Sequence, residues 1–269
     1  MQQITDNVYV ESENSVCNSS FVVTREGVVV IDTPMAPAQA KKWAAVASRY
    51  GEVRFVINGE PHTDHHAGNC YFGGTVVAHE GTRELVKVAE IEDLKRMLRQ
   101  IVPDSLPLDA DFKFHPPEIT FSTRMTLYLG DHTFHLIHMP GHTPFNLAVY
   151  VPEEEVVFTS DNINLGTPFF GDCEPEDWLQ SLEHLGFLDV KKVVPGHGEV
   201  TDKSCFTRMS DVVKKWRDVV AEAVNKGMSL EEALRKIPEA EMFSGVPKEG
   251  PEAHFLRLNI ERIYRTLSK

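Results

Sequence analysis

Nine consecutive residues, Asn58-Gly59-Glu60-Pro61-His62-Thr63-Asp64-His65-His66, constrain this chain more than any other stretch. Five groups able to hold a metal ion fall within seven positions, directly after the apolar run Phe55-Val56-Ile57. That run reads as a buried strand, so the polar segment leaves a sheet at its end. If the chain stays extended there, Glu60 and His62 project to one side, because residues two apart share a face. Asp64 and His65 then start the next turn and point elsewhere. Two adjacent metal sites follow, and this density of carboxylate and imidazole suits them.

Three more residues share one placement. His142 follows the run Phe134 to Gly141, Asp161 follows Val156 to Ser160, and His197 follows Val193 to Gly196. Alone, Asp161 is an ordinary turn or cap residue and His197 an ordinary turn histidine. Their common position at strand exits, where layered α/β sheets gather ligands, points to one site.

The pattern along the chain supports such a sheet. Strands are expected at Asn7 to Val10, Phe21 to Thr24, Val28 to Asp32, Phe55 to Ile57 and Thr75 to Ala78. Further strands are expected at Ile119 to Phe121, Met125 to Leu129, Thr133 to His138, Leu147 to Val151, Val156 to Thr159 and Lys192 to Pro195. Helices are expected at Pro37 to Tyr50, over Thr82 to Ile101 as one long element, around Glu176 to Leu185, and from Phe206 onward in three apolar stripes. Val102 to Glu118, with four prolines, reads as an ordered loop. The expected division is a β-rich body over 1–200 and a helical extension over 201–269 packed on it.

Composition narrows the function classes. With 42% apolar residues in 269, the chain can bury a sizeable core. Its 27 basic and 40 acidic residues leave a charge of −13, which repels a nucleic-acid backbone and argues against a nuclease. No membrane span or export signal is read, so a cytoplasmic protein acting on a small molecule, without nucleic-acid or membrane partners, is expected. Homo-oligomerisation stays open. Cys17, Cys70, Cys173 and Cys205 form no C-x-x-C pair and read as small, semi-buried residues.

Glu60-Pro61-His62-Thr63-Asp64-His65, Pro-Gly-His142-Thr, Thr-Ser-Asp161-Asn and Pro-Gly-His197-Gly together resemble the metallo-β-lactamase superfamily, whose signature is H-x-H-x-D-H followed by a histidine, a bridging aspartate and a last histidine. The resemblance spans roughly Val8 to Val200 and includes Val29-Val30-Ile31-Asp32-Thr33, similar to an early family strand whose aspartate supports the metal-binding loop. It implies an α/β fold, a four-layer αβ/βα sandwich of two mixed sheets. It also implies two divalent ions, with Glu60, His62 and His142 on the first, Asp64, His65 and His197 on the second, and Asp161 bridging. Zinc is expected first, with iron and manganese open.

Glu60 departs from the family, which has histidine there, and this leaves the first site in question. Two divalent ions balance Glu60, Asp64, Asp161 and one hydroxide to give a neutral cluster. The usual ligand set would keep one positive charge. A neutral cluster attracts anions poorly, is a weaker Lewis acid, and tilts toward iron or manganese.

The resemblance implies a metallohydrolase in which a metal-bound hydroxide attacks an ester, thioester, lactone or related acyl bond. Asp64 and Asp161 would orient the water and move its proton. The alternatives are an iron-dependent redox enzyme on the same fold and a metal-depleted binding module. The superfamily's diiron members carry their glutamate where this chain has His62, usually beside a flavin domain, and none is expected after Lys269.

Several other residues invite narrower expectations. His66 reads as structural, with substitute ligand, support of a ligand or proton shuttle as its other roles. His132, His135 and His138 read as structural. His79, His115 and His184 carry no hypothesis, and His254 sits near the closing helix. Gly166 to Gly171, with Phe112 and Phe114, could wall an acyl pocket or simply fill a core.

Overall fold

Strand β4 (Gly27–Ile31) shows how the core is built, because neither of its faces meets water. Val29 and Ile31 pack with Val10, Val22, Phe134, Leu136, Val149 and Phe158, while Val28 and Val30 pack on the other side with Phe21, Trp43 and Ala47. A five-residue run of glycine and branched aliphatics suits a strand covered on both sides. The computed structural model describes every residue except 14, 15, 166, 167, 244, 246, 248 and 269, and the side chains of 241 and 251.

The described residues form two units. The first comprises 1–139, 145–166 and 189–203, and the second 140–144, 167–188 and 204–269. In the first, seven strands pair in chain order: β1 (Gln2–Gln3), β2 (Val8–Glu11), β3 (Ser19–Thr24), β4, β5 (Val53–Ile57), β6 (Thr75–His79) and β7 (Ile119–Phe121). They run antiparallel up to β4 and parallel from β4 to β7.

The second sheet runs β12 (Lys192–Val194), β11 (Val156–Phe158), β10 (Leu147–Val151), β9 (His132–His138), β8 (Arg124–Leu129), and only β11 and β12 are parallel. One apolar cluster draws residues from both sheets and joins them face to face. Helix α1 (Pro37–Ala47) begins on proline and buries Ala40, Trp43, Ala44 and Ala47, a single helical stripe, against the outer side of the first sheet. Two mixed sheets with helices make this the expected α/β sandwich.

The expected long helix is two helices, α3 (Glu80–Lys87) and α4 (Ile91–Ile101), separated by an extended Glu90. α3 follows β6 and β7, whereas Leu94 and Leu98 of α4 pack on Met35, Ala36 and Ala67. One straight rod would not serve both surfaces. The 102–118 stretch holds short turns at Pro103–Ser105 and at Asp109–Phe112 and packs Leu106, Leu108, Phe112 and Phe114 with Leu94 and Leu98 of α4.

The second unit is helical: α5 (Pro175–Gly186), α6 (Ser204–Asn225), α7 (Leu230–Lys236) and α8 (Pro251–Leu267). Trp178, Phe170, Trp216 and Phe243, in that order, form its aromatic centre, with successive ring centroids 4.7 to 5.2 Å apart. Ser229 and Glu232 close a capping box on α7. A four-residue helix of the first unit, α2 (Thr63–His66), carries part of the ligand-rich segment.

At the amino-terminal end of β11, the Glu154 carboxylate accepts hydrogen bonds from Thr5 Oγ1, Asn7 Nδ2 (2.7 Å) and His132 Nε2 (2.8 Å), linking the two sheets. Burial pushes this carboxyl up, and the three donors outweigh it, holding it below the usual range. A depressed native value stabilises the fold above the unfolded pKa, and the contribution is lost as pH falls through the native one. Glu154→Gln is expected to cost about 1–3 kcal/mol in urea unfolding at pH 7 and to flatten the acid limb of stability against pH. An unchanged acid limb would remove Glu154 from that role.

Candidate metal centre

Four strand exits carry the site, at the carboxyl ends of the parallel pairs β4–β5 and β11–β12. Asp32 follows β4, Glu60 to His66 follow β5, Asp161 follows β11 and His197 follows β12. Asp32 fixes three of them together. Its Oδ1 accepts from Gly59 N at 2.7 Å, and its Oδ2 accepts from Ser160 Oγ at 2.6 Å and from His65 Nδ1 at 2.9 Å. Both Asp32 and Ser160 adopt left-handed backbone, φ 54° and 43°, which non-glycine residues rarely take up.

With its Nδ1–H donated to Asp32, His65 presents Nε2 inward. That atom lies 3.1 Å from Glu60 Oε1, 3.4 Å from Asp161 Oδ1 and 3.6 Å from Asp64 Oδ2, yet it is buried and makes no well-formed hydrogen bond. His197 is oriented the same way. Its Nδ1–H donates to Val16 O at 2.7 Å, leaving Nε2 3.3 Å from Asp64 Oδ2 and 3.2 Å from Asp161 Oδ2. Fixing one imidazole nitrogen so that the other faces a cation is how metal-binding histidines are held.

Within the first unit two donor triads result, Asp64–His65–His197 and Glu60–His65–Asp161, each with its donor atoms within 4.8 Å of one another. His62 Nδ1 stands 3.2 Å from Glu60 Oε1. His142 lies in the second unit, where its Nδ1–H donates to Phe169 O at 2.9 Å and its ring meets Trp178 edge-on.

The electrostatics call for positive charge at the centre. Burial pushes Asp64 and Asp161 up, but the neighbouring His65 and His197 outweigh it and hold both carboxyls far below the usual range. Burial likewise opposes charge on the imidazoles. Asp64 leads the groups that nonetheless raise His65, and Asp161 and Asp64 carry His197 up to about 10. Three converging carboxylates with inward imidazole nitrogens fit divalent cations, which supply that positive charge while the histidines remain neutral ligands.

Glycine is required at one close approach. A Cβ on Gly196 would sit 1.8 Å from Asp161 Oδ1.

A buried polar network supports the ligand loops, and sequence reasoning missed most of it. Thr33 N and Asn58 Nδ2 both donate to His65 O, Asn58 and Asn69 bond each other, and Thr33 Oγ1 donates to Asn69 Oδ1. Asn18 holds the His197 turn through Pro195 O and Gly198 O, each at 2.8 Å, and Cys17 Sγ reaches Asp64 O at 2.9 Å. Asn58 stands directly after β5, but nothing local to Asn18 or Asn69 names their partners.

The other expected residues take structural places. His66 is buried, its imidazole pushed down to about 4 by that burial, and packs edge-on against Phe114. His132 binds Glu154, His135 lies beside Tyr150 and His138 beside His79. His254 is exposed on α8. Of the expected acyl wall, Gly166 and Thr167 lie outside the described residues. Phe170 is core, Phe169 packs with His142 and Phe255, and Phe112 and Phe114 pack on α4.

Residues 13–197 match the model of the metallo-beta-lactamase superfamily. The chain belongs to that superfamily. Metallo-beta-lactamase type 2 of Elizabethkingia meningoseptica is 23% identical over 235 residues, covering 81% of this chain and 86% of the relative. The atrochrysone carboxyl ACP thioesterase of Aspergillus fumigatus is 26% identical over 122 residues, 45% of this chain and 38% of that enzyme. Among solved structures, a stereoselective inverting sec-alkylsulfatase from a Pseudomonas species shares the fold, with a TM-score of 0.74 at 16% identity over 98% of this chain and 49% of that one. The chain thus spans less than half of the thioesterase and about half of the sulfatase. Membership makes it an enzyme of a hydrolytic superfamily.

Asp32→Ala removes the acceptor shared by Gly59, Ser160 and His65. Zinc affinity, measured by chelator competition, is expected to fall about 10–100-fold. Unaltered affinity in a folded variant would show that Asp32 positions no ligand.

Proposed function

We propose that this chain hydrolyses an ester, thioester, lactone or related acyl bond of a small molecule with the help of two divalent metal ions. The carrying observation is the convergence of Glu60, Asp64, His65, Asp161 and His197 at the strand exits. His62 is placed beside Glu60, and His142 is assigned as the remaining donor of the first site from its motif. Zinc is the first candidate, with iron and manganese favoured by the three carboxylates. When bound, such ions activate water and polarise the scissile carbonyl oxygen.

The protein's own groups supply the rest. Asp64 Oδ2 and Asp161 Oδ2 lie 3.3 and 3.2 Å from His197 Nε2, and in this reading the two carboxylates accept a proton from water and orient it. His65 and His197 are locked by Asp32 and the Val16 carbonyl, so neither has to reorganise during the reaction. No serine or cysteine nucleophile enters, and burial pushes the Cys17 thiol far up, away from the reactive thiolate.

The net charge of −13 disfavours nucleic acids as substrates. The lactamase and thioesterase relatives act on acyl bonds by name, which supports the acyl class. Among the described residues no helix is long and apolar enough to cross a membrane.

A panel of aryl esters, aryl thioesters and lactones, with RNA and DNA alongside, tests the proposal. Acyl hydrolysis is expected to vanish on chelation, to return with added metal, and to fall by about 100-fold or more in Asp161→Asn, in line with loss of a proton acceptor. Metal-dependent cleavage of RNA or DNA by a protein inert toward every acyl substrate would overturn it.

A further inference from the structure

Glu60 touches both halves of the ligand set. Its side chain is fully buried, and the single atom Oε1 stands 3.2 Å from His62 Nδ1 and 3.1 Å from His65 Nε2. On the proposed assignment, His62 belongs to the first metal and His65 to the second. We propose that Glu60 is a second bridging carboxylate, joining the two metal positions as Asp161 does, rather than a replacement ligand confined to the first. This rests on the dinuclear reading given above.

Three observations support the bridge. Glu60 forms a donor triad with His65 and Asp161, a grouping that crosses the expected division into two sites. Asp161, the expected bridge, meets Glu60 at the same ring nitrogen, with Oδ1 3.4 Å from His65 Nε2. His65 Nε2 is buried, without a well-formed hydrogen bond, and faces both of these carboxylates.

Residue chemistry points the same way. A neutral imidazole at position 60 has one lone pair and serves one metal. An ionised carboxylate has about four lone-pair sites on two oxygens and can serve two. Two bridging carboxylates also harden the donor set toward manganese and iron. The competing role, in which Glu60 merely accepts a hydrogen bond from His62, needs an acceptor but no charge.

Glu60→Gln separates these roles, because the amide keeps an acceptor oxygen and loses the carboxylate. Metal-stripped full-length protein, wild type and variants, would be titrated with manganese(II) against a competing chelator and followed by electron paramagnetic resonance. Wild type is expected to bind two ions per chain and give an exchange-coupled signal. Glu60→Gln should weaken both binding steps by at least about tenfold and alter the coupled signal, because one of the two bridges is lost.

Glu60→Asp keeps the charge but shortens the reach. It should likewise weaken both steps, which covers the case in which the glutamine variant fails to fold. Weakening of one step alone would overturn the bridge in favour of a one-site ligand, and unchanged binding by folded Glu60→Gln would leave only a hydrogen-bond acceptor. Wild type that binds fewer than two ions would sink the dinuclear reading itself, and the bridge with it.

Discussion

Asp32 is the point on which the rest of the site depends. One buried carboxylate accepts a backbone N–H from the β5 exit, a hydroxyl from the β11 exit and an imidazole N–H from α2. Asp32, the Gly59 to His65 stretch and Ser160 are distant in sequence, and the carboxylate brings them to within hydrogen-bond length of one centre. The positive φ angles at Asp32 and Ser160 are local costs that the surrounding bonds offset, as strained residues at functional sites usually require. Glu154 plays a comparable part at the other ends of the strands, so the sandwich is tied by a buried carboxylate at each end.

Around His65 the protein gathers more negative charge than its own donors can satisfy. The carboxylates there raise His65 and His197 above the usual imidazole range. On the proposed reading the same carboxylates would serve as ligands and the imidazoles would coordinate as neutral donors. Three carboxylates leave such a centre close to neutral. That arrangement would suit the proposed uncharged reacting carbonyl better than a multiply charged phosphate, in keeping with the net charge of −13.

Much of this was legible before any coordinates. The strand order came from apolar runs bounded by turn residues, and the strand exits located Asp161 and His197. Tertiary demands were not legible. Nothing like proline or glycine marks the break at Glu90, which arises because α3 and α4 pack on different surfaces. Asn18, Asn58 and Asn69 bond chiefly to groups outside their own turns, where local pattern carries no information. The two-residue spacing placed Glu60 beside His62, but the short turn of α2 that brings His65 back to the same oxygen has no periodicity to reveal it.

The central claim is that this cluster is a two-metal centre, and metal content per chain tests it most directly. The full-length protein would be purified without chelators, its metals measured by elemental analysis against protein concentration, and its visible spectrum recorded. The account predicts two divalent ions per folded chain, with absorption if the metal is iron and none if it is zinc. Folded protein that carries no metal, and takes up none when zinc, iron(II) or manganese(II) is offered in excess, would contradict it.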